Sequence, residues 1–397
     1  MSATAFPALA RLLAPLSADE FVADYWEKKT VHVRARPGHS APPISLAELD
    51  AILTERPHQH PALSLVDAAN PIEAESYSDA EGWVDMREAI VRYGRGATII
   101  VNRVDEHAPR VRALCGDLES ELGMGVQANL YLTPRNAQGF AAHFDSHDVI
   151  IVQCQGAKDW RFYDSPRGLP MRGERFNKQE TPPGAITETL RLEEGDVLYV
   201  PRGLIHDAVA VDGASSVHVT LGLHAVRWSE VLLEAIAQAS LDDPALREGL
   251  PPGALVRGDR DEALNAALSA RLEAIRARVS WQSVASRVES QFFTQRKRDL
   301  RGMLLDASEP IGEAMQFAFR RGVIIDLDVN DDHCLLHIDG RSSRWPAHAA
   351  ETLEAALAQR TFGLDDLGDS LDEAGKLTLV RRLITEGALK VSREALS

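Results

Sequence analysis

The sequence predicts an α+β protein in which an antiparallel barrel or jelly roll of short strands is followed by a mostly helical segment and then a mixed one. Three observations carry this. Between about residues 126 and 223 short apolar runs succeed one another, NLYL, HDVIIVQC, DWRFYD, ETLRLEEGDVLYVP and SSVHVTLGLH, punctuated by Gly, Pro and Asp. From Trp228 to about Leu304 the chain is rich in Ala, Leu and Glu and is broken at Pro244 and at Pro251-Pro252-Gly253. From Gly312 a strand-like pair, GVIIDLDV and HCLLHIDG, precedes a closing helix over 374–386. The 397 residues leave room for two to three domains, with boundaries near Ala225 and near 307–310.

Elements ahead of the barrel follow from local chemistry. Ser17 opens SADEFVADYWEKK, where Phe21, Val22, Tyr25 and Trp26 recur at helical spacing. Residues 30–34 alternate as a strand, and Ser45 with Glu48 three residues on forms a capping box for a helix to Leu53. GATIIVN, 96–102, reads as a short buried strand. Val111, Leu114, Cys115, Leu118 and Leu122 form one face of a helix over 109–122.

Composition narrows the function class. With 45% apolar and 26% charged residues the chain is an ordinary globular protein. Lys and Arg number 43 against 59 Asp and Glu, a net charge of −16, which disfavours binding to nucleic acid or anionic membrane and suits a cationic partner. Three cysteines, Cys115, Cys154 and Cys334, include no CxxC pair, so neither a disulfide framework nor a cysteine zinc site is expected. Arg11, Asp19 and Glu20 interrupt the N-terminal stretch, no basic leader precedes it, and no run reaches the ~20 apolar residues of a membrane span. These features read as a cytoplasmic protein.

The chemistry concentrates in the β-rich region. His143 and Asp145 stand at i and i+2, a spacing that a strand projects from one face, and His206 follows the turn Pro201-Arg202-Gly203 some 60 residues on. Two histidines and one carboxylate on a barrel wall are the facial triad of non-haem Fe(II) oxygenases, which keeps open positions for a co-substrate and O₂. Alone, an HxD pair is commonplace. Lys158, in the apolar strand GAKDWRFY, needs an anionic partner if it is buried, and the far carboxylate of a 2-oxoacid supplies one; the plainer reading is a solvent-facing lysine at a strand start. Tyr131, Thr220 and Asn129 offer further polar groups. His147 shares the phase of His143 and reads as a substrate-facing or merely solvated histidine.

The segments Asn129-Leu-Tyr131-Leu-Thr133-Pro134, Gln138-Gly139-Phe140-Ala-Ala-His143-Phe-Asp145, Gly156-Ala-Lys158-Asp-Trp160-Arg161, Gly195-Asp196-Val-Leu-Tyr199-Val-Pro201-Arg202-Gly203 with His206, and Ser216-Val-His218-Val-Thr220 together resemble the JmjC-type ribosomal oxygenases, the cupin-4 family. The opening Phe21-Val-Ala-Asp-Tyr25-Trp26-Glu27-Lys28-Lys29 continues the likeness, which covers the chain to about Ala225. The resemblance implies a double-stranded β-helix catalytic domain over 1–225, a helical dimerisation domain over 226–308 and a winged-helix-like domain over 309–397. It implies that His143, Asp145 and His206 bind Fe(II), that Lys158 holds the distal carboxylate of 2-oxoglutarate, and that Tyr131 and Thr220 assist with Asn129 close by. Family members hydroxylate an arginine or histidine side chain of a basic ribosomal protein, consuming O₂ and 2-oxoglutarate. His147 departs from the family's usual residue type, and some members carry arginine in place of Lys158, which exchanges a fork for a point charge.

Two features invite other readings. The basic run Arg296-Lys297-Arg298 with Arg301 is expected as a solvated helix face or an inter-subunit salt bridge, with RNA contact the lesser reading. The 374–386 helix with Arg381 and Arg382 resembles a recognition helix, yet the resemblance and the net charge imply no direct nucleic-acid reading. A biosynthetic peptide or small metabolite is an alternative substrate, and a non-catalytic cupin/winged-helix regulator is the rival from another class. The acidic balance leads to one geometric expectation. Acidic side chains should gather at the mouth of the His143/Asp145/His206 site or along a dimer cleft.

Overall fold

The computed structural model describes residues 6–36, 42–165, 168–211, 213–256, 261–312, 314–359 and 361–392; the first five residues of the N-terminal stretch lie outside them. By its contacts the chain divides into two compact units, one of Met1–His224, Arg298–Ile338 and Ser343–Ser397, the other of Ala225–Lys297 and Asp339–Ser342.

The first unit begins with α1 (Pro7–Leu13), α2 (Ala18–Asp24), β1 (Val31–Val33), α3 (Leu46–Thr54), β2 (Leu63–Val66), α4 (Met86–Gly94), β3 (Thr98–Val101) and α5 (Pro109–Leu122). Ser17 caps α2, and Ser45 and Glu48 form the reciprocal capping box of α3. The β-rich stretch supplies β4 (Gly125–Thr133), β5 (Asp148–Gln155), β6 (Lys158–Tyr163), β7 (Ile186–Leu192), β8 (Val197–Val200), β9 (His206–Ala210) and β10 (Ser216–His224). These strands form the jelly roll that the sequence predicts: a seven-stranded sheet ordered β1-β8-β5-β10-β4-β3-β2 and a three-stranded sheet ordered β7-β6-β9.

Alternation along the strands decides what faces the space between the sheets. In β5, Ile150, Val152 and Cys154 join the core built with α1, α2, α3 and α5, whereas Val149 and Ile151 meet Trp160, Phe162 and Leu192 of the smaller sheet. Both faces are covered, which is why HDVIIVQC reads as a continuous apolar run. In β10 the odd positions Val217, Val219, Leu221 and Leu223 go to the helical side. The even positions, His218, Thr220, Gly222 and His224, therefore share the inner face. Register places His218 beside Tyr131 and Thr220 beside Asn129 of β4.

Helix α2 and the segment after it brace this sheet. Phe21 meets the Tyr199 ring edge-on at 4.8 Å and Trp26 stacks on it at 6.0 Å, while the Glu27 amide donates to the Tyr199 oxygen at 2.8 Å. Tyr199 in turn donates to Asp148 at 2.7 Å, which also accepts from the Arg202 guanidinium at 2.9 Å. The turn ahead of His206 is thus fixed. Gly203 sits there at φ 85°, a conformation that favours glycine, and its N–H donates to the Asp145 carbonyl at 3.0 Å.

The second unit contains α6 (Trp228–Asp242), α7 (Asp261–Arg278) and α8 (Trp281–Gln295). Arg287 pairs with Glu234 and Arg278 with Asp243. Trp228, Leu232 and Leu233 of α6 are left exposed, at 74%, 60% and 66%. The basic run follows α8 rather than lying on it, and its arginines are engaged within the chain: Arg296 pairs with buried Asp339 at 2.7 Å, Arg298 donates to the Glu386 carbonyl and Arg301 pairs with Asp299.

The C-terminal part of the first unit adds α9 (Met303–Ser308), β11 (Gln316–Phe319), β12 (Ile325–Val329), β13 (His333–Ile338), β14 (Arg341–Pro346, whose first two residues are counted with the second unit), α10 (Ala350–Leu357), β15 (Thr361–Phe362), α11 (Glu373–Thr385) and β16 (Leu389–Ser392). Two three-stranded sheets, β15-β11-β16 and β12-β13-β14, enclose their own core around Phe317, Leu336, Leu353, Phe362 and Leu383. Arg321 binds Asp117 of α5 at 2.7 Å and so ties this part to the barrel side. Among the described residues no helix is long and apolar enough to cross a membrane.

Candidate active site

His143 and Asp145 do not lie on a regular strand. His143 makes a single antiparallel bridge with His206, exchanging backbone hydrogen bonds of 3.0 and 2.8 Å, and the chain then passes irregularly through 144–147 into β5. The bridge sets the two imidazoles side by side with centroids 4.9 Å apart. Asp145 Oδ2 lies 3.7 Å from His206 Nε2, and one ligand atom from each of the three residues lies within 4.8 Å of the others. Nδ1 of His143 is 2.9 Å from the Ala141 carbonyl and Nδ1 of His206 is 2.9 Å from that of Leu204. A carbonyl only accepts, so each Nδ1 carries the hydrogen of its contact, which leaves Nε2 as the ring nitrogen that can serve as a ligand atom. Burial, then the neighbouring His143, holds His206 in its neutral form. Two imidazoles oriented through Nδ1, with a carboxylate, fit a divalent ion such as Fe(II).

The triad opens on a cavity of about 260 Å³ whose lining includes Tyr131, Thr133, Lys158, Trp160, His218 and Thr220. Lys158 is only 3% exposed. Its Nζ donates to Thr133 Oγ1 at 2.9 Å, and Thr133 accepts a second bond from Thr98 at 3.1 Å. Among the described residues no carboxylate pairs with this ammonium, and burial pulls its pKa from 10.5 down to about 7. Such a group favours an anion in the cavity. Tyr131 is pushed well above the usual phenol range by burial and then by the Asp145 charge, so it stays a hydroxyl and can donate.

The structure therefore brings six of the predicted residues together: His143, Asp145, His206, Lys158, Tyr131 and Thr220. Asn129 stands outside the lining. Its carboxamide oxygen accepts from the Arg103 amide at 3.0 Å, and its side chain lies against the Tyr131 hydroxyl, where it lowers the phenol pKa. His147 is also outside, because its ring covers Gly222, where a Cβ would lie 2.7 Å away, and stacks on His224 at 4.9 Å. Sequence reasoning assigned no role to Thr98, Thr133 or His218. Each is an ordinary polar strand residue whose significance appears only through non-local pairing. Asp207 was likewise missed, although it adjoins His206: Arg161 grips it at 2.6 and 2.9 Å and the Tyr163 hydroxyl donates to it at 2.9 Å.

Beside the cavity and sharing Asp207 with it runs a groove of about 1120 Å³. Its charged lining is Arg95, Arg135 and Arg161 against Asp67 and Asp207. With Asp207 matched by Arg161, this groove is not acidic, so of the two places expected for the carboxylates the mouth of the site is ruled out. Acidic residues occur far along the sequence instead, as in Asp326, Asp328, Asp331 and Asp332 around β12, so the net charge gives no support to a cationic substrate.

Residues 106–231 match the model of the JmjC domain. Among curated proteins, the bifunctional lysine-specific demethylase and histidyl-hydroxylase NO66 of Drosophila grimshawi is 32% identical over 273 residues, 64% of this chain and 36% of that protein. The NO66 of Dictyostelium discoideum is 32% identical over 254 residues, 61% of this chain and 49% of that one. The chain thus spans about a third to a half of the length of these two relatives. In fold it is similar to the Escherichia coli ribosomal oxygenase YcfD, with a TM-score of 0.55 at 17% identity, covering 95% of this chain and 98% of that one. A YcfD structure in complex with cobalt and 2-oxoglutarate gives the same TM-score at 16% identity, covering 95% and 99%.

Proposed function

Starting from a chain whose residues 106–231 are a JmjC domain, we propose that it is an Fe(II)- and 2-oxoglutarate-dependent oxygenase that hydroxylates an arginine or histidine side chain of a ribosomal protein. One observation carries this reading. A single cavity holds both an oriented His-Asp-His triad and a buried lysine whose hydrogen-bond partner is a threonine, leaving its charge unmatched. The first suits a divalent metal and the second suits the distal carboxylate of a 2-oxo diacid.

In this reading His143, Asp145 and His206 hold Fe(II). The bound metal supplies a place where 2-oxoglutarate and O₂ meet, so that oxidative decarboxylation to succinate and CO₂ is coupled to hydroxylation of a C–H bond. The chain's own residues do the rest. Lys158, with Thr133 fixing its Nζ, binds the distal carboxylate as a charge-assisted pair, and Tyr131 and Thr220 add hydroxyl donors. Asn129 positions Tyr131. Val149, Ile151, Phe140 and Trp160 line the cavity with apolar surface and limit water around the reacting groups. The Asp207–Arg161 pair steadies β9 and with it His206.

The reading assigns catalysis to residues 1–225, dimerisation to 226–308 and substrate docking to the winged-helix-like 309–397, in a cytoplasmic homodimer. The exposed Trp228, Leu232 and Leu233 of α6 support the dimer. The ribosomal substrate is supported by the names of the relatives, and the histidyl-hydroxylase relatives favour histidine as the target. Intact-mass and fragment mass spectrometry of ribosomal proteins from cells with and without the gene tests it. Gain of one oxygen atom on one arginine or histidine, lost with the gene, is expected; identical masses for every ribosomal protein would contradict the substrate assignment.

A further inference from the structure

We propose that His218 is a further co-substrate-binding residue, donating a hydrogen bond to the distal carboxylate of 2-oxoglutarate beside Lys158. The inference rests on the reading that this cavity takes 2-oxoglutarate. His218 is 3% exposed, it lines the cavity, and its Nδ1 is buried with no hydrogen-bond partner among the described residues. Buried polar nitrogens are rarely left unpaired in native proteins, and a site that binds a ligand is one place where they are. The ring is not free to turn toward another partner. It lies flat on Tyr131, with centroids 4.7 Å apart and planes 6° apart, and meets Trp160 edge-on at 5.8 Å.

The surrounding groups say what the partner must be. From β3 comes Thr98, from β4 Tyr131 and Thr133, from β6 Lys158 and Trp160, and from β10 Thr220. All but Trp160 are hydroxyls or an ammonium, and no carboxylate stands among them; Asp145 is committed to the triad and Asp207 to Arg161. This end of the cavity is rich in donors and poor in strong acceptors, so its ligand must bring acceptors of its own. A carboxylate has lone pairs enough for Lys158, a hydroxyl and His218 together. Burial, and next the Lys158 charge, keep His218 neutral. It thus adds a hydrogen bond without adding a second positive charge, and one carboxylate balances one ammonium.

Calorimetry on the Mn(II)-loaded protein under nitrogen separates this role from others, with 2-oxoglutarate and 2-oxopentanoate, which lacks the distal carboxylate, as the two titrants. His218→Phe and His218→Leu remove the donor, Phe keeping the ring on Tyr131, and either one that melts as a folded protein serves; His218→Asn retains an N–H near the position of Nδ1. The donor-less variants are expected to bind 2-oxoglutarate about tenfold or more weakly while binding 2-oxopentanoate as wild type does, and His218→Asn is expected to recover part of the loss. Unchanged 2-oxoglutarate affinity in a donor-less variant, or equal weakening for both acids, overturns the role. Failure of the wild type to bind either acid instead overturns the parent reading of the cavity, and this inference with it.

Discussion

Replacing Lys158 by Met should stabilise the empty protein while weakening its hold on the co-substrate. The ammonium is buried against Thr133 alone, and burial lowers its pKa from 10.5 to about 7. Because the folded pKa lies below the unfolded one, folding must expel a proton or bury a charge whenever the pH is below about 10. At about 1.4 kcal/mol per tenfold, the penalty is about 2 kcal/mol at pH 9 and about 4 at pH 7, levelling off near 5 below pH 6. Met keeps the volume of the stem and removes the charge, at the loss of one hydrogen bond, about 1 kcal/mol. Lys158→Met is therefore expected to gain about 3 kcal/mol at pH 7 and about 1 at pH 9, read as the shift in a urea unfolding midpoint. With Mn(II) already present, adding 2-oxoglutarate should raise the midpoint of the wild type clearly more than that of the variant, which keeps its metal triad but lacks the cation for the distal carboxylate. A variant destabilised at both pH values, or equally stabilised at both, would refute the claim that Lys158 is a buried cation without a carboxylate.

Three further outcomes follow from the geometry. Gly203→Ala places a Cβ on a residue at φ 85° in the turn clipped to Asp145, so it should lower stability by about 1–2 kcal/mol and weaken Mn(II) binding, checked by melting and metal titration. Asn129→Ala removes the acceptor of the Arg103 amide, which should cost about 1–2 kcal/mol in unfolding and raise the KM for 2-oxoglutarate a few-fold with little change in kcat; an unchanged KM would leave Asn129 a purely structural residue. Trp228→Glu or Leu233→Glu should shift sedimentation from dimer to monomer, and an unchanged distribution would remove the α6 face from any dimer interface.

The barrel is legible in the sequence because each central strand is covered on both sides, so SSVHVTLGLH and HDVIIVQC announce themselves as buried strands. The triad is legible because His143, Asp145 and His206 sit in a recognisable order, even though a single β-bridge and not a strand sets their geometry. Less could be read where significance comes from pairing across the chain. Thr133 is unremarkable until β6 brings Lys158 against it, and His218 gains its meaning from the flat stack on Tyr131 one strand away. The −16 charge misled for a related reason, since a whole-chain sum carries no position, and the groove beside the site holds three arginines.

The most direct measurement is succinate formation by the purified protein supplied with Fe(II), 2-oxoglutarate, O₂ and a ribosomal protein preparation, run beside His143→Ala. The account predicts succinate from the wild type, dependent on both Fe(II) and 2-oxoglutarate, and background turnover from the variant. Equal turnover by His143→Ala, or none by a wild type shown to bind both metal and 2-oxoglutarate, would contradict it.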